Sequence, residues 1–174
     1  LRYLKSDFTE GYIPTIEDEF EKTIEIDGNA ICVKVIDTAG QDDFAEMRCS
    51  YFKMSDGFIF VLDLSNSQSI EDLKNIYKDA IDSRDDDIIG VIAANKCDLE
   101  DEGRKDLIPD SDLMKLESEY NLKIFKTSAK TNININEIFD SILRKVWEKK
   151  GILKETNNKK SSNKKSSNIK PNKE

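Results

Sequence analysis

The stretch IIGVIAANKCD, residues 88–98, joins a continuous apolar run to a short polar sequence. Such a run, bounded by polar residues, is typical of a strand that is buried on both faces of a parallel sheet. In sheets of this kind ligands bind at the carboxyl ends of the strands, so the residues directly after a strand are the most informative about function. We therefore expect Asn95, Lys96 and Asp98 to belong to a ligand site.

Strands and helices alternate on either side of this run. Two more apolar runs, GFIFVLDL at 57–64 and LKIFKTS at 122–128, predict further parallel strands. The predicted helices, with serine N-caps for the first two and a glycine stop for the last, run from Ser69 to about Ser83, from Ser111 to about Tyr120 and from Ile135 to Gly151. This order predicts an α/β fold: a doubly wound, mostly parallel sheet with helices on both faces.

The sequence TIEIDGNAICVKVID predicts a hairpin upstream of these elements. Its antiparallel strands begin near Lys22 and Ala30, because Asp27-Gly28 tolerates the positive backbone angles of a tight turn. The second strand leads directly into Asp37, Thr38, Ala39, Gly40 and Gln41. A carboxylate at this place can hold a hydrated Mg²⁺, and a glycine N–H can approach a phosphate closely. An ordinary turn is the alternative interpretation.

The composition restricts the chemistry that such a site can perform. The 174 residues include no histidine, which excludes Ser-His-Asp and Cys-His catalysis as well as histidine-ligated metals. Cys32, Cys49 and Cys97 form no C-x-x-C pair, which indicates a reducing compartment and predicts a cytoplasmic protein. The sequence contains no apolar run long enough to cross a membrane.

Charge divides the chain into a domain, residues 1–150, and a tail, residues 151–174. The net charge is −8, although the tail alone holds seven lysines against two glutamates. An acidic body argues against nucleic acid as a partner. We predict that the tail is disordered, because it has too few apolar residues to offset the entropy lost on ordering. It is either simply solvated or makes weak contact with anionic lipid at the inner face of the plasma membrane.

The polar residues after two of the predicted strands suit guanine. A carboxylate such as Asp98 can accept two hydrogen bonds, from the N1–H and the exocyclic amine of guanine, which adenine does not present together. The next strand ends in Thr127, Ser128, Ala129 and Lys130, where a backbone N–H can meet guanine O6 and the lysine stem can cover the ring. A loop with a helix-capping aspartate is the alternative interpretation. Three such turns after three strands favour a nucleotide site.

The motifs DTAGQ, NKCD and TSAK, with YIPTIEDEF upstream, resemble those of a Ras-type small GTPase from about Leu1 to Lys150. The resemblance implies a GTP/GDP switch that uses Mg²⁺ and hydrolyses GTP slowly. It implies that Phe8 packs beside guanine, that Thr15 ligates Mg²⁺, that Asp37 contacts the metal through water, that the Gly40 amide senses the γ-phosphate and that Gln41 orients the attacking water. Alternatively, Gln41 is an ordinary surface residue of an acidic loop.

The same resemblance implies an effector-binding loop. Its members are Tyr12, Ile13, Pro14, Thr15, Ile16, Glu17, Asp18, Glu19 and Phe20. We expect residues 16–20 to form an exposed strand edge to which a basic partner domain adds. The alternative is a charged edge strand that only resists aggregation. An exchange factor and a GTPase-activating protein are the other implied partners.

The resemblance also predicts a glycine-rich phosphate loop, and a first strand before it, upstream of Leu1. We therefore expect the chain to be a fragment that lacks these two elements and that binds nucleotide very weakly as it stands. The sequence ends without a C-a-a-X box, so lipidation of that end is not supported. The alternative function is a pseudo-GTPase, an interaction module that presents its hairpin to partners without holding nucleotide.

Overall fold

The architecture is that of an α/β domain. A computed structural model describes residues 2–5, 8, 17–38 and 45–166. In chain order its elements are α1 (Arg2–Lys5), β1 (Glu17–Ile26), β2 (Asn29–Thr38), α2 (Ala45–Met54), β3 (Phe58–Asp63), α3 (Gln68–Asp82), β4 (Gly90–Asn95), α4 (Asp98–Asp101), α5 (Asp110–Tyr120), β5 (Ile124–Thr127) and α6 (Ile135–Ser166). The predicted alternation of strands and helices is confirmed.

The five strands form two separate sheets among the described residues. β1 and β2 pair antiparallel, from Glu17 opposite Thr38 to Ile26 opposite Asn29. β3, β4 and β5 pair parallel in that order. The hairpin turns at Asp27 and Gly28, whose φ angles are 51° and 77°. The hairpin and the parallel strands were both predicted, and both are confirmed.

Alternate residues of the parallel sheet enter two different apolar clusters. On one face Phe60 and Ile92 pack with residues of α3 and α5. On the other face Val91 packs with Ile138 and Ile142 of α6. Helices therefore cover both faces, and a strand between two apolar layers must be apolar on both sides, which is why β4 reads as an uninterrupted run.

Two predicted helix starts are wrong by a residue or two. α3 begins at Gln68, whose N–H donates to Asn66 Oδ1 over 3.1 Å, and Ser69 lies inside the first turn with its hydroxyl on the Asn66 carbonyl. α5 begins at Asp110, directly after Pro109. Ser111 is therefore not its cap. Proline fixes its own φ and lacks an N–H, so it precedes a helix at little cost.

The predicted end of the last helix at Gly151 is also wrong. α6 continues to Ser166, into the segment expected to be disordered. Glycine destabilises a helix by only about 1 kcal/mol relative to alanine, which is too little to end the helix at Gly151. The rest of the predicted tail, residues 167–174, lies outside the described residues.

The helix α2 had no counterpart among the sequence predictions. Its buried residues include Arg48, whose guanidinium lies 3.9 Å from the Asp79 carboxylate of α3. A buried arginine breaks the apolar pattern by which an amphipathic helix is recognised. Arg84, after α3, donates to the carbonyls of Phe52 and Ser55 and so holds the end of α2.

Within the described part of the chain, no helix is long and apolar enough to cross a membrane.

Candidate functional site

The parallel register brings three strand ends together. Asp63, the last residue of β3, lies opposite Asn95 of β4, which in turn lies opposite Thr127 of β5. The polar segments after β4 and β5 are therefore neighbours. The Cys97 N–H donates to the Thr127 carbonyl over 3.0 Å, which ties one segment to the other. Burial of the Cys97 thiol, followed by the nearby charge of Asp98, raises its pKa.

Asp98 is a buried carboxylate held by a buried serine. Ser128 donates its hydroxyl to Asp98 Oδ1 over 2.6 Å, and both residues are almost completely inaccessible to solvent. A buried charge is tolerated only where hydrogen bonds offset its desolvation, and this short charge-assisted bond is one such contact. The two residues predicted from NKCD and TSAK thus form one structural unit.

Asn95 organises the segment after β5. Its Oδ1 accepts a hydrogen bond from the Ala129 N–H over 3.2 Å and lies 3.4 Å from the Thr127 hydroxyl. With Oδ1 used in this way, the Nδ2 amide is the donor end of the side chain. Asn95 Oδ1 therefore has a structural role, and Nδ2 is the atom that can donate a hydrogen bond to a ligand. The contact between Asn95 and Ala129 links two segments that were each predicted to belong to the site.

The segment 128–134, here called the base loop, is closed by short-range hydrogen bonds. Ser128 and Ile133 exchange backbone hydrogen bonds of 3.0 Å, and the Thr131 N–H donates to the Ser128 hydroxyl over 3.0 Å. Asn134 donates from Nδ2 to the Lys126 carbonyl over 2.7 Å, with its own φ at 55°. Asparagine adopts this left-handed conformation more readily than most residues. The loop is thus preformed.

Lys130 lies at the outer side of the base loop. Its ammonium makes an ion pair with Glu102 Oε1 at 3.0 Å, and its backbone carbonyl accepts a hydrogen bond from the guanidinium of Arg2 over 2.8 Å. Both Lys130 and Glu102 are exposed, so the ion pair contributes little to stability. The Arg2 contact joins α1 to the base loop and was not predicted.

Lys96 carries an unusual backbone conformation and a close charge partner. Its φ is 70°, in the left-handed region that residues with side chains seldom occupy. Its ammonium lies 2.7 Å from Asp63 Oδ2. Partial burial favours a higher pKa for Asp63, but the hydrogen bonds from Lys96 and from the Ser65 hydroxyl and N–H outweigh it, so its pKa lies below the usual value.

The sequence reasoning missed Asp63. A signal was present, because LDLSN places a carboxylate directly after an apolar strand, as DTAGQ does. The same rule that selected Asn95 and Asp37 would have selected Asp63. The residue was passed over because no recognised motif contains it.

Asp37 lies in the other sheet, near the end of β2. Its side chain is exposed, and its partner across the hairpin is Asp18. The surrounding chain partly desolvates the carboxyl, which raises its pKa, and the negative charge of Asp18 raises it further. No group of three or more Cys, Asp or Glu side chains within the described ranges is arranged to hold a metal.

Several predicted site residues lie outside the described residues. They are Tyr12, Ile13, Pro14, Thr15, Ile16, Ala39, Gly40 and Gln41. Phe8 is described and is exposed. Thr38 closes β2. The structure thus groups the residues predicted for base recognition, while the roles predicted for Phe8, Thr15, Gly40 and Gln41 stay predictions.

Part of the predicted effector strand is observed. Asp18 and Glu19 are exposed and Phe20 is half-buried in β1, which has β2 as its only neighbour among the described strands. The Glu19 carboxylate lies 2.6 Å from the ammonium of Lys34 across the hairpin. Lys5 of α1 lies over the ring of Phe20, 4.8 Å from its centre. Partner binding at this edge stays a prediction.

Comparison with known proteins gives two findings. A sequence profile of the Ras family matches residues 1–148. The chain is also 33% identical over 147 residues to the Ras-related protein RAB1BV of Beta vulgaris, an alignment that covers 84% of this chain and 67% of that protein.

Proposed function

Because the chain belongs to the Ras family of small GTPases, we propose that it is a guanine-nucleotide switch. It binds GTP and GDP with Mg²⁺, hydrolyses GTP slowly and signals through the difference between the two states. The observation that carries the proposal is the buried pair of Asp98 and Ser128 at the carboxyl ends of two parallel strands.

Base selectivity follows from the chemistry of this pair. Ser128 occupies one direction of Asp98 Oδ1 and thereby orients the carboxylate. The carboxylate then accepts from the N1–H and the amine of guanine, whereas adenine would leave it with no donor from the base. An unpaired buried carboxylate costs far more than a weakened hydrogen bond, so discrimination is strong. The Nδ2 amide of Asn95 is a donor for the acceptor atoms of the same base.

The phosphate and metal side of the site is proposed from the family pattern. Thr15 and Asp37 would bind Mg²⁺, Asp37 through water, and Mg²⁺ supplies the charge that offsets the phosphates. Crowding of Asp37 and Asp18 in the hairpin favours a cation there, because like charges raise the cost of ionisation. The Gly40 amide would respond to the γ-phosphate, and Gln41 would position the water that attacks it.

The β1–β2 hairpin is the proposed partner surface. β1 carries the acidic residues of the effector sequence and has an outer edge to which an extended segment can add. Effector domains would bind there, an exchange factor would replace GDP, and a GTPase-activating protein would supply an arginine for hydrolysis. We place this switch in the cytoplasm, with the lysine-rich tail making weak contact with an anionic membrane.

The decisive test replaces Asp98 by asparagine. In Asp98→Asn the Oδ1 that accepts from Ser128 is retained, but one acceptor of the guanine pair becomes a donor. Affinity for GDP should fall by at least about 100-fold, since hydrogen bonds to a charged group are lost. Affinity for xanthosine diphosphate should rise, because its O2 accepts from the new amide. Titration followed by ligand-detected NMR measures both, even where binding is weak.

The matched control is Asp101→Asn, which removes the same charge from an exposed position of the same helix, α4. It should bind GDP as the wild type does. Equal GDP binding by the wild type and Asp98→Asn would reject the guanine site. An absence of nucleotide binding in the wild type would reject the switch for this chain as it stands and leave the second candidate, an interaction module that uses the exposed edge of β1 without nucleotide.

A further inference from the structure

Asp63 has a carboxylate that is held from two sides. Oδ2 lies 2.7 Å from the Lys96 ammonium, and Oδ1 accepts from the Ser65 N–H over 2.8 Å and from the Ser65 hydroxyl over 2.7 Å. Two donors on Oδ1 and an ammonium on Oδ2 leave the carboxylate little rotational freedom. The carboxylate therefore has a fixed position at the carboxyl ends of β3, β4 and β5, here called the ligand edge of the sheet.

The backbone of Asp63 is fixed as well. Its N–H donates to the Ser69 hydroxyl over 3.1 Å, and the same hydroxyl lies 3.1 Å from the Asp63 carbonyl. Ser69 belongs to the first turn of α3. The next residue, Leu64, is buried and donates its N–H to the Asn95 carbonyl over 3.0 Å. Asp63 is therefore anchored to a helix and to the strand that carries NKCD.

Lys96, in contrast, is a side chain that needs support. It is half-exposed, it has many rotamers, and its backbone lies in a conformation that is held only where the surroundings determine it. The ammonium has three N–H donors, and the ion pair with Asp63 uses one direction. Once the N–H that points to Asp63 is fixed, the directions of the other two N–H groups of the ammonium are restricted as well.

We propose that Asp63 is a positioning residue for nucleotide binding: it holds the Lys96 ammonium at the ligand edge, 2.7 Å away, so that the lysine donates to oxygen atoms of the nucleotide without first being ordered. This inference rests on the proposed guanine-nucleotide site. Asp63 itself does not touch the ligand, and its effect passes through Lys96. Preorganisation of a donor raises affinity because less conformational entropy is lost on binding.

A double-mutant cycle tests the inference on the full chain. The variants are Asp63→Asn, Lys96→Met and the double variant, with GDP titrated into each. We expect Asp63→Asn to raise the dissociation constant about fivefold and Lys96→Met to raise it at least as much. The double variant should be no worse than Lys96→Met alone, because residues that act through one contact are not additive. A merely structural role for Asp63 would add its effect in both backgrounds.

Two further variants complete the experiment. Asp112→Asn breaks an exposed ion pair with Lys115 on α5, 2.9 Å long, and should leave GDP binding unchanged. Ser65→Ala keeps both charges of the Asp63 pair and the N–H bond to Oδ1 but removes the hydroxyl bond to Oδ1, so it should weaken binding in the same direction and by less. It gives a second measurement if Asp63→Asn does not fold.

The outcomes separate this inference from the function on which it rests. If the wild type shows no saturable GDP binding, the proposed function fails and the inference fails with it. If the wild type binds GDP and both Asp63→Asn and Ser65→Ala bind equally well, the inference alone is wrong. Tighter binding by Asp63→Asn would also reject it, because Asp63 would then compete with the nucleotide for Lys96.

Discussion

The hairpin and the three-stranded sheet differ in how they are supported. β3, β4 and β5 lie between helices on both faces, and β4 is buried along nearly its whole length. In the hairpin, every residue of β2 is either exposed or half-buried, and none is fully buried. The residues proposed for base recognition lie at the ends of the supported strands, whereas Asp37 and the acidic residues of β1 belong to the less supported pair. The proposed base selection and the proposed partner contact thus belong to differently supported parts of one domain.

Two carboxylates show the same difference at the level of single residues. Asp98 is buried and accepts a short hydrogen bond from Ser128, which offsets part of the cost of burying its charge. Asp37 is exposed and faces Asp18 across the hairpin. A site whose side chains are held by packing and hydrogen bonds is formed more accurately than one whose side chains are exposed. We expect base selectivity to be built in, while the metal side gains its stability from the cation.

The largest expected effect compares one substitution in the two regions. Ile92→Ala empties a completely buried position in β4, whereas Ile24→Ala removes a half-buried side chain from β1. The first should lower the free energy of unfolding by about 3–4 kcal/mol and the second by about 1 kcal/mol, because the cost follows the transfer and cavity terms. Urea unfolding measures both. Equal losses would show that the hairpin is packed as firmly as the parallel sheet.

A smaller effect concerns the buried hydroxyl. Ser128→Ala removes the donor to Asp98 Oδ1 and leaves a buried carboxylate short of a partner, so it should cost about 2 kcal/mol of stability. Ser55→Ala is the matched control, since its hydroxyl donates only to the Tyr51 carbonyl at a helix end. That change should cost well under 1 kcal/mol. Chemical unfolding at neutral pH distinguishes the two, and similar costs would mean that water replaces the Ser128 hydroxyl.

The smallest effect is a pH dependence in the hairpin. The folded pKa of Asp37 lies above its ordinary value of 3.8, so the folded state binds the proton more tightly than the unfolded state. Its favourable contribution is complete below pH 3.8 and is lost as the pH rises through the folded pKa. Asp37→Asn should therefore be slightly more stable than the wild type at pH 7, with the difference vanishing in acid. Thermal unfolding across pH checks this, and a less stable variant at pH 7 would contradict it.

Much of the fold could be predicted from particular residues. The apolar run of β4 required a strand covered on both faces, and Asp27-Gly28 required a tight turn between β1 and β2. Helix ends were predicted less well. Ser69 and Ser111 resemble caps in sequence, but a cap is defined by which hydroxyl reaches which N–H, and Asn66 and Pro109 precede the helices instead.

The candidate site divides in the same way. Asn95, Asp98 and Ser128 were predictable as site candidates because each lies at or soon after the end of a strand, in a segment whose donors and acceptors match those of a guanine base. The contacts of Asp63 with Lys96, and of Arg2 with the Lys130 carbonyl, were not. Both contacts join residues far apart along the chain, and no local pattern records such a pairing.

The sequence by itself determined the order of strands and helices, the turn chemistry of the hairpin and the residue types at the strand ends. These depend on local periodicity and on the properties of single side chains. Only the tertiary structure decided which strand ends are neighbours, which carboxylate is buried and which charge holds Lys96. Those features depend on the parallel register of β3, β4 and β5 and on the exclusion of water from Asp98, and both arise only when distant segments pack together.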